Sequence, residues 1–304
     1  MSRSGRQFTL RFGDQEAVVT EVGGTLREYR VGGRPVVDGF SPVERSRDGR
    51  GQILLPWPNR IDGGRYTFAD GENQLPINEI EHGNAIHGLV RWIPWTLQEV
   101  TGSSVTLAAM IFPQPGYDHL LASVVEYQLS EQGLTVKLVA SNRGEEALPF
   151  GVGFHPYLVL PLSPVDELEL AVPATLRLRA DRRGIPVGEP VVVAGSDFDF
   201  TTPRRIGRIQ LDATYTGLVR TAAGEAEVRL TDPVSRAGVR LWADQNLPYL
   251  QLFTGDTLAD PAARRRSLAV EPMSCPPDAF RSGRDLVVLV PGASFTASWG
   301  ISAT

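Results

Sequence analysis

Histidine is scarce in this chain, and its four occurrences, His82, His87, His119 and His155, are the first candidates for proton chemistry near neutral pH. His82 and His87 lie five residues apart in Glu81-His-Gly-Asn-Ala-Ile-His-Gly88. That offset turns two side chains about 140° apart on a helix and to opposite faces of a strand. It argues against a two-histidine metal clamp of the i,i+4 kind. A metal site would need His155 and a distant acid to join one of them. His155 itself stands in Pro149-Phe-Gly-Val-Gly-Phe-His-Pro-Tyr157. Gly151 and Gly153 hint at a dinucleotide loop, but the third glycine is absent and no helical pattern follows. Pro156 instead holds His155 in extended backbone. Its ring then leaves a strand end, either as a buried imidazole bonded to a carbonyl or as a proton carrier.

Glu271 closes the apolar run Ser267-Leu-Ala-Val-Glu271 and is followed at once by Pro272. It reads either as a solvated strand end or as a carboxylate aimed into a cleft. Arg60 belongs to Leu54-Leu-Pro-Trp-Pro-Asn-Arg-Ile-Asp62, where the prolines flanking Trp57 predict a rigid loop that holds the ring and the guanidinium together. That pairing suits sugar hydroxyls and anions alike. Asp212, in Gln210-Leu-Asp-Ala-Thr-Tyr215, is accounted for by turn chemistry. Cys275, the single cysteine, has no base paired with it in sequence and is read as inert. No Gly-x-Ser-x-Gly elbow and no Walker loop is present.

These side chains must be carried by a scaffold of strands. The 304 residues include 31 Gly and 23 Pro, spread along the whole length, so they punctuate structure. Between them lie short β-rich runs: Gln7–Arg11, Ala17–Val22, Ser104–Ile111, Ser123–Leu129, Leu134–Ala140, Ala226–Thr231, Gly238–Trp242, Tyr249–Phe253, Ser267–Val270 and Leu286–Val290. In Leu134-Thr-Val-Lys-Leu-Val-Ala140 the odd-step leucines and valine face one way and Thr135 and Lys137 the other, with a hairpin turn at Glu131-Gln-Gly133. Helical candidates are limited to Pro261–Arg266 and a turn at Pro277–Phe280. The pattern predicts an all-β fold, a large antiparallel β-sandwich in one domain over residues 1–304, with no fixed-period repeat and no linker. One cysteine rules out a disulfide framework and a cysteine-based zinc site. Thirty basic against 35 acidic residues, net −5, argue against a nucleic-acid partner. No apolar run approaches the ~18 residues of a membrane helix, and no apolar segment follows the basic start. A cytoplasmic protein, monomer or homodimer, is expected.

Taken in order, these segments resemble the aldose 1-epimerase (galactose mutarotase) family. The resemblance rests on Asn59-Arg60-Ile61, Gly64-Arg-Tyr66-Thr-Phe68, Asn78 and His87-Gly88. It continues with Gly153-Phe-His155-Pro-Tyr157, Val270-Glu271-Pro272, Pro277-Asp-Ala-Phe280, Leu289-Val-Pro-Gly292 and Trp299-Gly-Ile301. The blocks span residue 51 to the C-terminal segment, and the first fifty residues fit the family's opening strands. Either His82 or His87 aligns with the family's first histidine; His87 is chosen for its place ahead of Leu89-Val-Arg-Trp92. Asp212 matches the family's sugar-binding aspartate loosely.

The resemblance implies a β-supersandwich that interconverts the α and β anomers of a free aldose without a cofactor or a metal. It assigns Glu271 as the base and His155 as the acid, with Arg60, His87 and Asp212 holding the sugar. A nearby carboxylate is expected to favour the protonated imidazole. Three alternatives share or border this reading. One is a mutarotase for a phosphorylated or anionic hexose, with Arg65, Arg91 and Arg264–Arg266 as candidate cations. The others are a non-catalytic sugar-binding module and a metal-dependent hydrolase.

Overall fold

The computed structural model describes residues 2–160 and 163–304; 46% of the chain is strand and 3% helix, which settles the all-β class. Among the described residues two large antiparallel sheets form a sandwich. The first runs Gln7–Phe12, Gln15–Thr20, Leu26–Val31, Arg34–Val37, Tyr157–Leu158, Leu268–Met273, Tyr249–Phe253, Asp212–Leu218, Ala174–Arg177, Val191–Val192, with Gly153–Phe154 and Ile53–Leu54 joined at its centre. The second runs Thr96–Val100, Ser104–Ile111, Leu121–Ser130, Gly133–Asn142, Ser294–Ala303, Gly238–Ala243, Ala226–Thr231, Glu169–Ala171, Arg204–Arg205. Apolar side chains from both sheets, from Leu10 to Ile301, make one main core. No helix among the described residues is long and apolar enough to cross a membrane.

The alternation in the second sheet is the one expected. Leu134, Val136, Leu138 and Ala140 are buried while Lys137 is exposed, and Ser130 pairs with Gly133 across the two-residue loop Glu131-Gln132. Leu138 sits between Val125 and Ala297 on the neighbouring strands, all three fully buried. Leu138→Ala is therefore expected to cost about 2–5 kcal/mol. Lys137→Ala, one residue away on the outer face, should stay within about 0.5 kcal/mol. Urea unfolding of the two variants checks the pair.

Several local expectations are corrected. The apolar run does not stop at Glu271: the strand continues as Leu268–Met273, through Pro272, which pairs with Leu250. It can do so because the proline nitrogen faces away from that partner. The N–H groups of Val270 and Ser274 point to the other side, onto the carbonyls of Pro156 and Val152, and by the period of two the nitrogen of Pro272 faces that same side. Asp212 is not a turn residue; it opens the strand Asp212–Leu218. Trp57 and Arg60 part company, the indole turning into the core against Phe280 with ring centroids 5.7 Å apart. Pro261–Arg266 shortens to a 3₁₀ turn, Pro261–Ala263, capped by Asp260, whose carboxylate accepts the Ala262 N–H. A four-residue helix, Ala279–Ser282, follows Pro277.

Candidate active site

Strand register brings the two proton-bearing candidates together. On the first sheet Tyr157 pairs with Ala269 and Gly153 with Met273, so the step between them sets His155 opposite Glu271. The rungs on either side, Val270 with Pro156 and Ser274 with Val152, make His155 and Glu271 a pair without mutual backbone bonds, the kind whose side chains approach most closely. Pro156 and Pro272 each remove a donor from the rungs beside the pair. The same row continues through Gln251, which opposes Glu271, to Thr214, which opposes Gln251. Four polar side chains thus cross a sheet whose other positions are largely apolar.

His155 Nε2 lies 3.4 Å from Glu271 Oε1, and both residues are buried. They line a cavity of about 550 Å³ with Asn59, Arg60, His87 and Asp212. Its volume is in the range of small-ligand sites. His155 Nδ1 and Glu271 Oε2 are buried without a hydrogen-bond partner. Each such orphan costs about 1–3 kcal/mol, an arrangement suited to a ligand rich in hydroxyls. Burial pushes the Glu271 carboxyl well above the usual carboxylate range, with Asp212 adding to the rise and Arg60 opposing it. Burial pushes the His155 imidazole down to about 3, reinforced by the Arg91 and Arg50 guanidiniums. The shift thus runs against the expected protonated imidazole. Desolvation and two nearby cations oppose the protonated imidazole, and the same burial raises the carboxyl that would otherwise favour it.

The remaining sequence candidates surround this pair. Arg60 enters from the strand Arg60–Asp62, and its Nε and Nη2 clamp Glu79 at 2.9–3.0 Å. Asn84 donates to the same carboxylate. Gly184 lies where a Cβ would come within 2.4 Å of the Arg60 guanidinium, so that loop closes over it. His87 faces His155 edge to face, centroids 5.4 Å apart, and its Nδ1 accepts the Asn59 N–H, which leaves its own proton on Nε2. Asp212 is reached by solvent but sits deep in the cleft wall; the atoms around it raise its carboxyl, with Arg60 and the Gln251 amide opposing. Gln251 donates to Asp212 and accepts from Thr214, which fixes its amide.

The structure separates the two first-block histidines. His87 lies in the cavity with His155, whereas His82 lines an adjoining cavity of about 460 Å³ that shares Arg60, Asp212 and Gln251. His119 does not line this cavity and packs on Tyr117 and Phe68. Of the cations considered for a charged sugar, Arg91 lines the cavity, with Arg45 and Arg47 beside it. Arg65 is bonded to Gln74, and Arg264, Arg265 and Arg266 line a separate groove of about 1090 Å³. Cys275 is buried, its thiol pushed up to about 12 by burial. Among the described residues no three His, Cys, Asp or Glu side chains gather as a metal-ligand cluster. Sequence reading missed Gln251 and Glu79. Gln251 could have been flagged as the lone polar residue within the strand Tyr249–Phe253; Glu79 carries no comparable signal.

The pattern of the aldose 1-epimerase family matches residues 6–302. The chain is 39% identical over 293 residues to the uncharacterised protein YihR of Escherichia coli strain K12, covering 96% of this chain and 91% of that one. It is 28% identical over 255 residues to galactose mutarotase of Homo sapiens, covering 78% of this chain and 72% of the human protein. The crystal structure of a GalM/aldose epimerase homologue from C. elegans superposes with a TM-score of 0.88 over 98% of both chains at 17% identity, a likeness of fold.

Proposed function

The chain belongs to the aldose 1-epimerase family, and from that premise we propose that it interconverts the α and β anomers of a free aldose. The observation that carries this reading is the buried contact between His155 Nε2 and Glu271 Oε1 in the lining of a cavity rich in polar side chains. The anomeric hydroxyl O1 and the ring oxygen O5 share one carbon, so two groups this close can serve both. Glu271 takes the O1 proton as base while His155 Nε2–H gives its proton to O5 as acid. The C1–O5 bond breaks, its electron pair staying on O5, and O1 forms the carbonyl of the open aldehyde. Rotation about C1–C2 presents the other face, and closure returns both protons.

The opposed shifts of the two groups fit this cycle. A proton on Glu271 beside a neutral His155, the state that burial favours, has the same proton count as a carboxylate beside a protonated His155. Transfer across the 3.4 Å contact converts one into the other. Each residue serves as acid in one half of the cycle and base in the other, so neither state is lost. Arg60, His87 and Asp212 hold the sugar in this reading, with Gln251 orienting Asp212. The whole of residues 1–304 is taken as one domain, a view supported by the core that runs from Leu10 to Ile301. Polarimetry of freshly dissolved α-glucose and α-galactose tests the proposal: relaxation faster than in buffer is expected. Relaxation at the buffer rate on every neutral aldose offered would overturn it.

A specific feature favours a second reading, a hexose bearing a phosphate or carboxylate. Arg91 lines the cavity, and among the described residues no carboxylate lies within ion-pair distance of it. Its Nη2 donates to the Ile86 carbonyl, its Nε is buried without a partner, and burial lowers its pKa to about 10, which still leaves it charged. Arg45 and Arg91 lie 5.4 and 5.6 Å from the Trp92 ring centroid. If this reading holds, Arg91→Gln loses about 10- to 100-fold in kcat/KM on a hexose 6-phosphate or hexuronate, as expected for one charged hydrogen bond. The loss on glucose would be smaller. Equal losses on both classes would count against an anionic substrate.

A further inference from the structure

No other residue bonds Nδ1, the far nitrogen of the His155 imidazole, whereas a working imidazole is usually held by a carboxylate or carbonyl on the second nitrogen. What holds it is packing. The Tyr157 ring, two residues along and on the same face, stacks on it with centroids 5.0 Å apart and planes 9° from parallel. Gly49, with φ +78°, lies where a Cβ would fall 2.4 Å from the imidazole Cδ2. The Gly51 N–H donates to the His155 carbonyl and the His155 N–H to the Gln52 carbonyl.

The Tyr157 ring is in turn gripped by the same loop. The Arg50 guanidinium carbon lies 4.4 Å from its centroid, and the Tyr157 hydroxyl donates to the Asp48 carbonyl at 2.9 Å. Arg50 is buried and bonds Asp48 Oδ2 at 2.8 Å, with Nε 3.4 Å from Asp38. Asp38 is itself clamped by Arg266 and Ser267. Arg50 Nη2 is left buried and unpartnered, so the guanidinium is held in place at a cost. The lining of the catalytic cavity includes Asp48 and Gly49 but not Arg50.

We propose that Arg50 is a positioning residue for His155, acting through the flat face of Tyr157 that it clamps against the imidazole. The proposal rests on the reading of His155 as a proton-transfer group. The charged and titratable groups around the imidazole are Glu271 from the strand Leu268–Met273, the stacked Tyr157 phenol from its own segment, His87 and Arg91 from the segment after Asn84–Ile86, and Asp48 with Arg50 from the 47–51 loop. Arg50 has two separable effects among them. Its plane fixes the Tyr157 ring, and its charge opposes protonation of the imidazole.

Arg50→Lys and Arg50→Met separate the two. Lysine keeps the charge but loses the planar face, so kcat is expected to fall about 10- to 100-fold, the scale of a misplacement near 1 Å. KM should stay within about twofold, because no sugar contact is removed. Nitrogen-15 NMR of the four histidines reads the charge effect directly. In Arg50→Met the His155 ring should take up its proton about half a unit or more higher in pH than in the wild type, while Arg50→Lys should titrate near the wild type. Rates are normalised to the folded fraction from urea unfolding. Wild-type kcat in both variants with an unmoved His155 titration overturns the proposal and leaves the epimerase reading intact. A wild-type protein that accelerates no aldose overturns the epimerase reading, and the ring titration still decides whether Arg50 acts on His155.

Discussion

Glu271→Gln should lose turnover by about 10²–10⁴-fold, the usual worth of one positioned proton transfer, and should at the same time be more stable than the wild type at neutral pH. Glutamine has nearly the same shape but cannot accept the O1 proton, so the rate falls while the cavity survives. The stability gain follows from linkage. Burial raises the Glu271 carboxyl in the folded state, so the folded protein holds a proton that the unfolded chain releases above the ordinary carboxylate value of about 4.3. Wild-type stability therefore declines as pH rises from that value toward the raised folded value. Glutamine removes the decline. Urea unfolding at pH 7 and at pH 4 should show a gap between variant and wild type that narrows at pH 4. A variant that keeps near-wild-type turnover would remove Glu271 from the chemistry. A gap that stays constant with pH would show that its carboxyl is not raised.

His155→Asn is the counterpart, with the opposite pH sense. Loss of the imidazole should lower kcat by a similar 10²–10⁴-fold. In the folded protein the imidazole is pushed down to about 3, while in the unfolded chain it titrates near 6.5. Folding is then penalised as pH falls below about 6.5, because the unfolded chain takes up a proton that the folded one refuses. The penalty grows toward the folded value. Asparagine cannot take up that proton, so His155→Asn should lose less stability than the wild type between pH 6.5 and pH 4. Parallel unfolding curves across that window would contradict the inverted proton affinities. Retained turnover would instead mean that His87 or solvent supplies the acid.

The strands were readable because half-buried β-structure writes its burial into a period of two, as from Leu134 to Ala140. The block order around Arg60, His155 and Glu271 was readable as well. The pairing of His155 with Glu271 was not, because it depends on which strands become neighbours and in which register, and the two residues come from distant segments. Asp212 looked like a turn residue because its strand, Asp212–Leu218, is recognisable chiefly through its partner Tyr249–Phe253. The separation of Trp57 from Arg60 has the same origin: nothing local says that Phe280 waits for the indole. The direction of the proton affinities was missed for a further reason. A sequence shows that a carboxylate and an imidazole exist; the depth of their burial and the approach of Arg50 and Arg91 belong to the folded chain.

The sheet order also bears on how the protein is made. Leu268–Met273 is inserted between Tyr157–Leu158 and Tyr249–Phe253, and Ser294–Ala303 between Gly133–Asn142 and Gly238–Ala243. Each of these strands is translated after both of the neighbours it joins. A nascent chain therefore carries both sheets as open halves, with bare strand edges that invite pairing with other chains. Synthesis at about 5–20 residues per second keeps those edges uncovered for seconds. Closure of each sheet waits for its late strand and is dominated by contacts between distant segments, the slow regime of folding. A chain arrested before Glu271 lacks the strand whose register sets His155 opposite Glu271, so the pocket in which the two meet cannot assemble until that strand is made.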